Sequence, residues 1–162
     1  MKIRRLQEDD LPNIAGLVYR IMGTKDAKRA VVDIKETLSE KEESPFKFED
    51  LFVVEIGGSI VAAGGVWALK HDPDVARLDW FMVDNQHQRK GLGTMLLKKI
   101  EEFLGKKGVR LIMAETSSRS TYRAAVNFWE KNGFREMAKI PNYWEDGSAC
   151  LYFIKRLKHQ KL

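Results

Sequence analysis

One stretch constrains this chain most: a buried strand that leads into an amphipathic helix through a basic, glycine-containing turn. Residues 78–83 read Leu-Asp-Trp-Phe-Met-Val, an almost wholly apolar run that is typical of a strand covered on both faces. From Thr94 to Leu104, apolar residues recur at helical spacing. The turn between them, residues 88–94, reads Gln-Arg-Lys-Gly-Leu-Gly-Thr. Because the first turn of a helix has N–H groups without partners and a positive dipole end, this segment predicts an anion-binding site.

The remaining sequence predicts a single α/β (α+β) domain over residues 1–162. Seven strands are expected, at residues 3–6, 51–56, 59–67, 78–83, 109–115, 134–140 and 149–156. Hairpin signals such as Gly57-Gly58 alternate with a strand–helix–strand crossover, which favours a mixed, mostly antiparallel sheet with helices on both faces. Gly64-Gly65 inside the third strand predicts a bulge or a close backbone approach.

Composition limits the classes of partner. The net charge of +5 favours an anionic partner, yet 23 acidic residues stand among 28 basic ones, which fits a phosphate-bearing small molecule at least as well as nucleic acid. The single cysteine, Cys150, excludes an internal disulfide bond. No apolar run is long enough to span a bilayer, and the N-terminus does not read as a signal peptide. We therefore expect a soluble, cytoplasmic protein without a membrane or nucleic-acid partner.

Two motifs together resemble those of the GNAT superfamily of N-acetyltransferases. Gln88-x-x-Gly91-x-Gly93 is similar to the pyrophosphate loop of that family. Ala125-x-x-Phe128-Trp129-Glu130-Lys131-x-Gly133-Phe134 is similar to its later helix-to-strand motif. The two motifs stand in the family's order, and the predicted element order agrees over nearly the whole chain.

The resemblance implies a GNAT-like fold in which two parallel strands, here ending at Val83 and Glu115, splay apart around acetyl-CoA. It also implies direct attack of an amine on the thioester, without a covalent enzyme intermediate and without a metal. The cofactor-binding residues that it implies are Met82 and Val83 for the pantetheine arm, Gln88, Arg89, Lys90, Gly91, Leu92, Gly93 and Thr94 for the pyrophosphate, and Tyr122 and Trp129 on the later helix.

Asp79 is the first candidate for the base that deprotonates the amine. It is a carboxylate within an apolar strand, and burial would raise its pKa toward a useful value. An alternation of period two would place Asp79, Phe81 and Val83 on one face. The alternative is a structural Asp79 paired with a basic neighbour such as Arg77. Glu115 is the second candidate for the base, and its alternative role is to cap the polar turn that follows it.

The sequence departs from the family at the acid that protonates the departing thiolate. The position that usually carries a tyrosine is Trp129, whose indole N–H does not readily give up its proton. Tyr122, seven residues earlier, is expected to contact the cofactor or pack at the helix start. Tyr143, in a late loop, is the candidate acid. Departure without an enzyme acid is the alternative, because a thiol with a pKa near 8.5 is a tolerable leaving group.

The leading hypothesis is an acetyl-CoA-dependent N-acetyltransferase that acts on a small molecule or a peptide amine. A non-catalytic acyl-CoA sensor that docks on a partner protein is the alternative, and the missing tyrosine motivates it. His71, His87 and His159 show no metal-ligand spacing. Glu42, Glu43, Glu145 and Asp146 either attract a cationic acceptor or are solvated loop charges. The oligomeric state stays open between a monomer and a homodimer.

Overall fold

The computed structural model describes residues 1–39 and 43–157, and this part of the chain contains seven strands and four α-helices. The strands are β1 (Lys2–Arg5), β2 (Phe46–Ile56), β3 (Ser59–Leu69), β4 (Val75–Val83), β5 (Leu111–Ser117), β6 (Arg135–Ile140) and β7 (Cys150–Arg156). The helices are α1 (Leu11–Met22), α2 (Thr24–Leu38), α3 (Leu92–Lys106) and α4 (Arg123–Lys131). Glu42 and His159 lie outside the described residues.

All seven strands join in one sheet with the order β1-β2-β3-β4-β5-β7-β6. Only β4 and β5 run parallel; every other neighbouring pair in the described sheet is antiparallel. The parallel pair is the one joined by a helical crossover, α3, as parallel strands require. The predicted mixed, mostly antiparallel sheet with helices on both faces is confirmed.

The sheet carries a separate hydrophobic core on each face. On one face, α1 and α2 bury Ile14, Leu17, Val18, Ala30 and Ile34 against Leu51, Val53, Ala63 and Met82. On the other, α3 and α4 bury Leu96, Leu97, Ile100, Leu104 and Trp129 against Val54, Ala62, Ile112 and Phe153. The amphipathic spacing that predicted the helices therefore corresponds to these two buried stripes.

The second strand begins earlier than the apolar pattern predicts. β2 starts at Phe46 rather than at Leu51. Two aromatic contacts hold the first residues of β2 in place: Phe46 lies 5.4 Å from Trp67 and Phe48 lies 5.6 Å from Phe103, measured between ring centroids. The polar residues around Phe46 and Phe48 interrupt the apolar pattern, so the sequence did not predict this part of β2. Its stability comes from packing across the sheet rather than from local hydrophobicity.

A β-bulge in β4 changes which side chains share a face. Asp79 pairs with Gly65, but Met82 pairs with Ala63, so β4 has one more residue than β3 between these pairs. Trp80 adopts the left-handed backbone region, with φ of 43°. Asp79 and Met82 consequently lie on the α1–α2 face, whereas Phe81 packs on the α3–α4 core. The expected common face of Asp79, Phe81 and Val83 is wrong, because a bulge shifts the alternation by one residue.

Gly64 and Gly65 of β3 make the close approach that the sequence predicts. A Cβ at Gly64 would lie 2.8 Å from Cδ2 of Phe81, and a Cβ at Gly65 would overlap Oδ1 of Asp79. Glycine is therefore required where β3 passes the bulge.

We expect Gly65→Ala to lower the free energy of unfolding by about 1–3 kcal/mol, because the methyl group displaces the Asp79 carboxylate. Urea denaturation followed by circular dichroism measures this change. Gly105→Ala is the matched control, since Gly105 is in α3 and a Cβ there meets nothing within 4 Å. That substitution should instead raise the free energy of unfolding by up to about 1 kcal/mol. An equal effect of both substitutions would contradict the close approach.

Candidate functional site

The opening between β4 and β5 is the central feature of the candidate site. The two strands pair only from Val75 with Leu111 to Arg77 with Met113. Beyond that point β4 continues to Val83 on β3, and β5 continues to Ser117 on β7. The facing edges of the two strands therefore part, which exposes backbone N–H and C=O groups to any ligand that enters. This is the splayed parallel pair that the sequence resemblance implied.

The basic glycine turn lies at the carboxyl end of β4. Gly91 precedes α3 with φ of 81°, and Arg89 also has a positive φ, of 59°. The Gln88 side chain donates from Nε2 to the carbonyl oxygen of Val83 at 3.1 Å, which ties the turn to the strand. Lys90 donates from Nζ to the carbonyl oxygen of Gln86 at 2.9 Å. Side-chain and backbone geometry together hold this turn in one conformation.

The start of α3 presents free N–H groups at the same place. The N–H of Met95 bonds to the carbonyl oxygen of Gly91 and begins the helical pattern. The N–H groups of Leu92, Gly93 and Thr94 therefore have no carbonyl partner within the helix. A Cβ at Gly91 would meet nothing within 4 Å, so the turn is open on that side. These N–H groups, the helix dipole and the exposed Arg89 and Lys90 suit an anion such as a pyrophosphate.

Close packing places this turn next to α4 and the end of β4. A Cβ at Gly93 would lie 3.0 Å from Cε2 of Phe128 and 3.5 Å from Cγ2 of Val83. Met82, which precedes Val83 in β4, is buried, with 5% of its surface exposed. The predicted residues Met82 to Thr94 thus form one continuous segment that borders the opening, and Gly93 permits the contact between α3 and α4.

Tyr122 and Trp129 differ in accessibility. Tyr122 directly precedes α4 and is 38% exposed. Trp129 is 5% exposed, and its ring lies 5.2 Å from that of Phe81 and 5.1 Å from that of Phe134, between centroids. Trp129 is therefore part of the α3–α4 core and supports β4 through Phe81.

The structure brings the two predicted carboxylates, Asp79 and Glu115, to the same face of the sheet. Each follows the last β4–β5 pair, Arg77 with Met113, by two residues. Because side chains alternate along a strand, both point to the α1–α2 face at the same level, on either side of the opening. Glu115 is exposed, whereas Asp79 is half-buried.

The environment of Asp79 favours its protonated form. Burial, and after it the nearby Glu49 and Asp33 carboxylates, raise the pKa of Asp79 to about 7, although a hydrogen bond from Trp67 acts in the opposite direction. No ion pair joins Arg77 to Asp79 in the described part of the chain. The guanidinium of Arg77 instead lies over the Trp67 ring, 5.0 Å from its centroid, and its Nη1 is buried without a hydrogen-bond partner. The alternative of a salt-bridged structural Asp79 is therefore not observed.

Tyr152 on β7 is a site residue that the sequence analysis missed. It pairs directly with Glu115 across the β5–β7 ladder and therefore shares its face. Burial, Glu115, Cys150 and a hydrogen bond with Tyr143 raise the pKa of the Tyr152 phenol. The predicted residue Tyr143 therefore lies near this group. The alternation of β7 is visible in the sequence, but its pairing with β5 is not.

Cys150 lies beside Tyr152 but has no exposed surface. Burial and the Glu115 carboxylate raise the pKa of its thiol. A buried thiol that resists ionisation is a poor nucleophile, so an acyl-cysteine intermediate has no support.

The described residues contain no group of three or more His, Cys, Asp or Glu side chains that could hold a metal ion. They also contain no helix that is long and apolar enough to cross a membrane.

The comparison with known protein families decides the assignment. The sequence model of the Acetyltransferase (GNAT) family matches residues 22–134, which is more than half of the chain. The chain belongs to this family. Among curated proteins, none matches the sequence.

Solved structures of GNAT proteins share the fold over almost their whole length. A protein from Desulfovibrio desulfuricans, described as an acetyltransferase of the GNAT family, has a TM-score of 0.85 at 20% identity, over 96% of this chain and 98% of its own. The ribosomal-protein-S18-alanine N-acetyltransferase from Escherichia coli has a TM-score of 0.75 at 23% identity, over 99% and 97%. An aminoglycoside 6'-N-acetyltransferase complexed with coenzyme A has a TM-score of 0.78 at 13% identity, over 100% of both chains.

We expect the raised pKa of Asp79 to make this GNAT protein less stable as the pH rises. Between the unfolded pKa of about 4 and the folded pKa of about 7, the unfolded chain has lost the proton and the folded chain keeps it, so the free energy of unfolding falls with pH and levels off above about 7. Urea denaturation at about pH 5 and about pH 8 should show a loss of roughly 2–3 kcal/mol in the native chain that Asp79→Asn lacks. The same loss in both proteins would show that Asp79 titrates normally.

Proposed function

We propose that this GNAT protein is an acetyl-CoA-dependent N-acetyltransferase that moves the acetyl group directly to a primary amine. The observation that carries the proposal is the opening between β4 and β5. It has an anion-binding turn at its edge and, on the α1–α2 face, the carboxylates of Asp79 and Glu115. A cofactor can therefore be held on one side of the sheet while an amine approaches from the other.

The chain's own groups suit coenzyme A. The N–H groups of Leu92, Gly93 and Thr94 would bind the pyrophosphate, with Arg89 and Lys90 adding positive charge. The backbone of Met82 and Val83 would bind the pantetheine arm where β4 leaves β5. Tyr122 is exposed at the start of α4 and would contact the same arm, while Trp129 would act from the core by supporting Phe81.

Transfer requires a neutral amine. Asp79 would accept a proton from the ammonium group, directly or through a water molecule, and a pKa near 7 suits a base that works near neutral pH. Glu115, at the same level on β5, is the second candidate for this role. The amine nitrogen then bonds to the acetyl carbon, the carbon–sulfur bond breaks, and the nitrogen releases its second proton to water, which leaves the neutral amide and a thiolate. Holding both reactants in the opening supplies much of the acceleration.

Protonation of the thiolate is assigned to Tyr143, with Tyr152 as its neighbour on β7. Trp129 cannot serve, because it is buried and its indole N–H does not act as an acid. Tyr143 belongs to the 141–149 loop, is 46% exposed and lies near Tyr152, so it would pass a proton toward the opening. The thiolate can also take its proton from water, since its own pKa is near 8.5.

The acceptor pocket is proposed between α2 and the loop of residues 141–149. Nζ of Lys25 lies 4.0 Å from Oε2 of Glu145, so the start of α2 and the loop are near each other. The rings of Tyr143 and Trp144 pack edge to face at 4.8 Å between centroids, and both are partly exposed. The names of two structural relatives describe N-acetylation of a ribosomal-protein alanine and of an aminoglycoside. A peptide amine and a small-molecule amine are thus both proposed acceptor classes.

A non-catalytic acyl-CoA sensor is the second candidate function. The burial of Trp129 at the position of the family's usual tyrosine favours it, because the cofactor turn would remain complete while the usual acid is absent. A single catalytic domain over residues 1–162 and a cytoplasmic location remain predictions of the sequence.

Binding and turnover can be measured separately to test the proposal. Acetyl-CoA is titrated against tryptophan fluorescence, and release of the free thiol is then followed with panels of amines, polyamines, amino acids and peptides. Binding with amine-dependent thiol release is the expected result. Binding without release from any acceptor class would favour the sensor, and a lack of binding would refute both functions.

Gly91→Asp should weaken acetyl-CoA binding by about tenfold or more relative to Gly91→Asn. Both substituents tolerate a positive φ, but only the aspartate places a negative charge beside the pyrophosphate. Fluorescence titration or calorimetry compares the two dissociation constants at low salt. If the two variants bind equally, the pyrophosphate does not lie at this turn.

Asp79→Asn should remove the inflection near pH 7 from the profile of kcat/KM against pH. In the native enzyme the ratio should rise up to tenfold per pH unit below about 7 as Asp79 loses its proton, and then level off. The same acceptor is used for both proteins, so that its own ionisation cancels. If Glu115→Gln removes the inflection and Asp79→Asn does not, the base is Glu115.

A further inference from the structure

The strand β6 forms one edge of the sheet and is exposed along its whole length. It pairs with β7 on one side, and the described strand order leaves its other side open. All six of its residues are exposed, including Met137 at 64% and Ile140 at 42%. An open edge presents backbone N–H and C=O groups that can pair with another strand, and exposed apolar side chains on it favour such pairing.

A bulge brings two opposite charges of β6 to the same face. Glu136 pairs with Phe153 and Ala138 pairs with Tyr152, so Met137 is an extra residue in β6. In a regular strand, residues three apart point to opposite faces. Because of the extra residue, Glu136 and Lys139 share the α4 face, where both line the groove between β6 and α4. Neither forms an ion pair within the described part of its own chain.

We propose that β6 strands of two copies pair antiparallel about a twofold axis and form a homodimer with one continuous sheet. Residues directly opposite in an antiparallel pair point to the same face. The bulge therefore permits a register in which Glu136 opposes Lys139 of the second copy. Arg135 then opposes Ile140, Met137 opposes Ala138, and the twofold axis repeats each pair.

Charge selects this register over its neighbours. Two Glu136–Lys139 pairs form on the α4 face, and the cations Arg135 and Lys139 do not face each other. A shift by one residue in either direction removes both of these pairs, because Glu136 then lies opposite Ala138 or opposite Ile140. Charges and bulges on an edge strand discourage indiscriminate pairing. Here their arrangement admits a second copy of the same strand.

The dimer is tested by exchanging these charges in variants of the full chain. Sedimentation velocity over a dilution series then measures the dimer dissociation constant of each variant. Glu136→Lys and Lys139→Glu each replace two attractive pairs by two repulsive ones, and each should raise the dimer dissociation constant by about tenfold or more. The double variant, with both exchanges, restores opposite charges in every pair and should recover the native dissociation constant. Glu130→Lys is the matched control: it makes the same charge change on α4, outside β6, and should leave the dimer intact.

Any other result of these measurements overturns the proposed dimer. A native chain that is monomeric at every concentration has no such interface. A dimer that neither single exchange weakens does not use the β6 edge in this register, and a double variant that stays dissociated contradicts the pairing of Glu136 with Lys139. Circular dichroism spectra establish that every variant is folded, which is expected because both side chains are exposed. Acetyl-CoA binding is measured in parallel, so a failed dimer is distinguishable from a failed cofactor site.

Discussion

The early end of the β4–β5 pairing is the constraint on which the site depends. Three residue pairs join the strands, and each then follows its antiparallel neighbour, so backbone groups that a regular sheet would satisfy internally face an opening. Unpaired backbone groups are costly unless water or a ligand binds them. The outer strands keep this opening rigid, because β4 is bonded to β3 and β5 to β7 over the lengths at which they no longer bond to each other.

The bulge at Trp80 gives the two faces of this opening different chemistry. Before the bulge, Asp79 points to the α1–α2 face; after it, Phe81 packs into the α3–α4 core. The carboxylates thus lie on one side, while Arg89 and Lys90 lie at the turn where an anion would bind. Separation of charge matters here, because the negative groups near Asp79 would repel a phosphate and the positive turn would lower the pKa of a base. Gly65 leaves the space that the Asp79 carboxylate occupies.

The aromatic cluster of Phe81, Phe128, Trp129 and Phe134 links the cofactor turn to the core. Phe128 contacts the start of α3 at Gly93, and Trp129 packs on the strand residue Phe81. An indole fills this position with more apolar surface than a phenol but supplies no acid. On the opposite face, the pairing of β5 with β7 brings Tyr152 next to Glu115, and Tyr143 of the 141–149 loop lies near Tyr152.

The sequence by itself determined the number and order of the strands, the helices with their buried stripes, and the turn of residues 88–94. These features depend on local periodicity, on glycine at positive φ and on the chemistry of a helix N-terminus, all of which act between residues close in the chain. Tertiary structure alone decided the early start of β2, the face on which Asp79 lies, and the neighbours of Glu115. Each of these depends on pairing between distant strands: one extra residue at Trp80 reverses an alternation that looked regular, and Tyr152 meets Glu115 only because β7 inserts between β5 and β6.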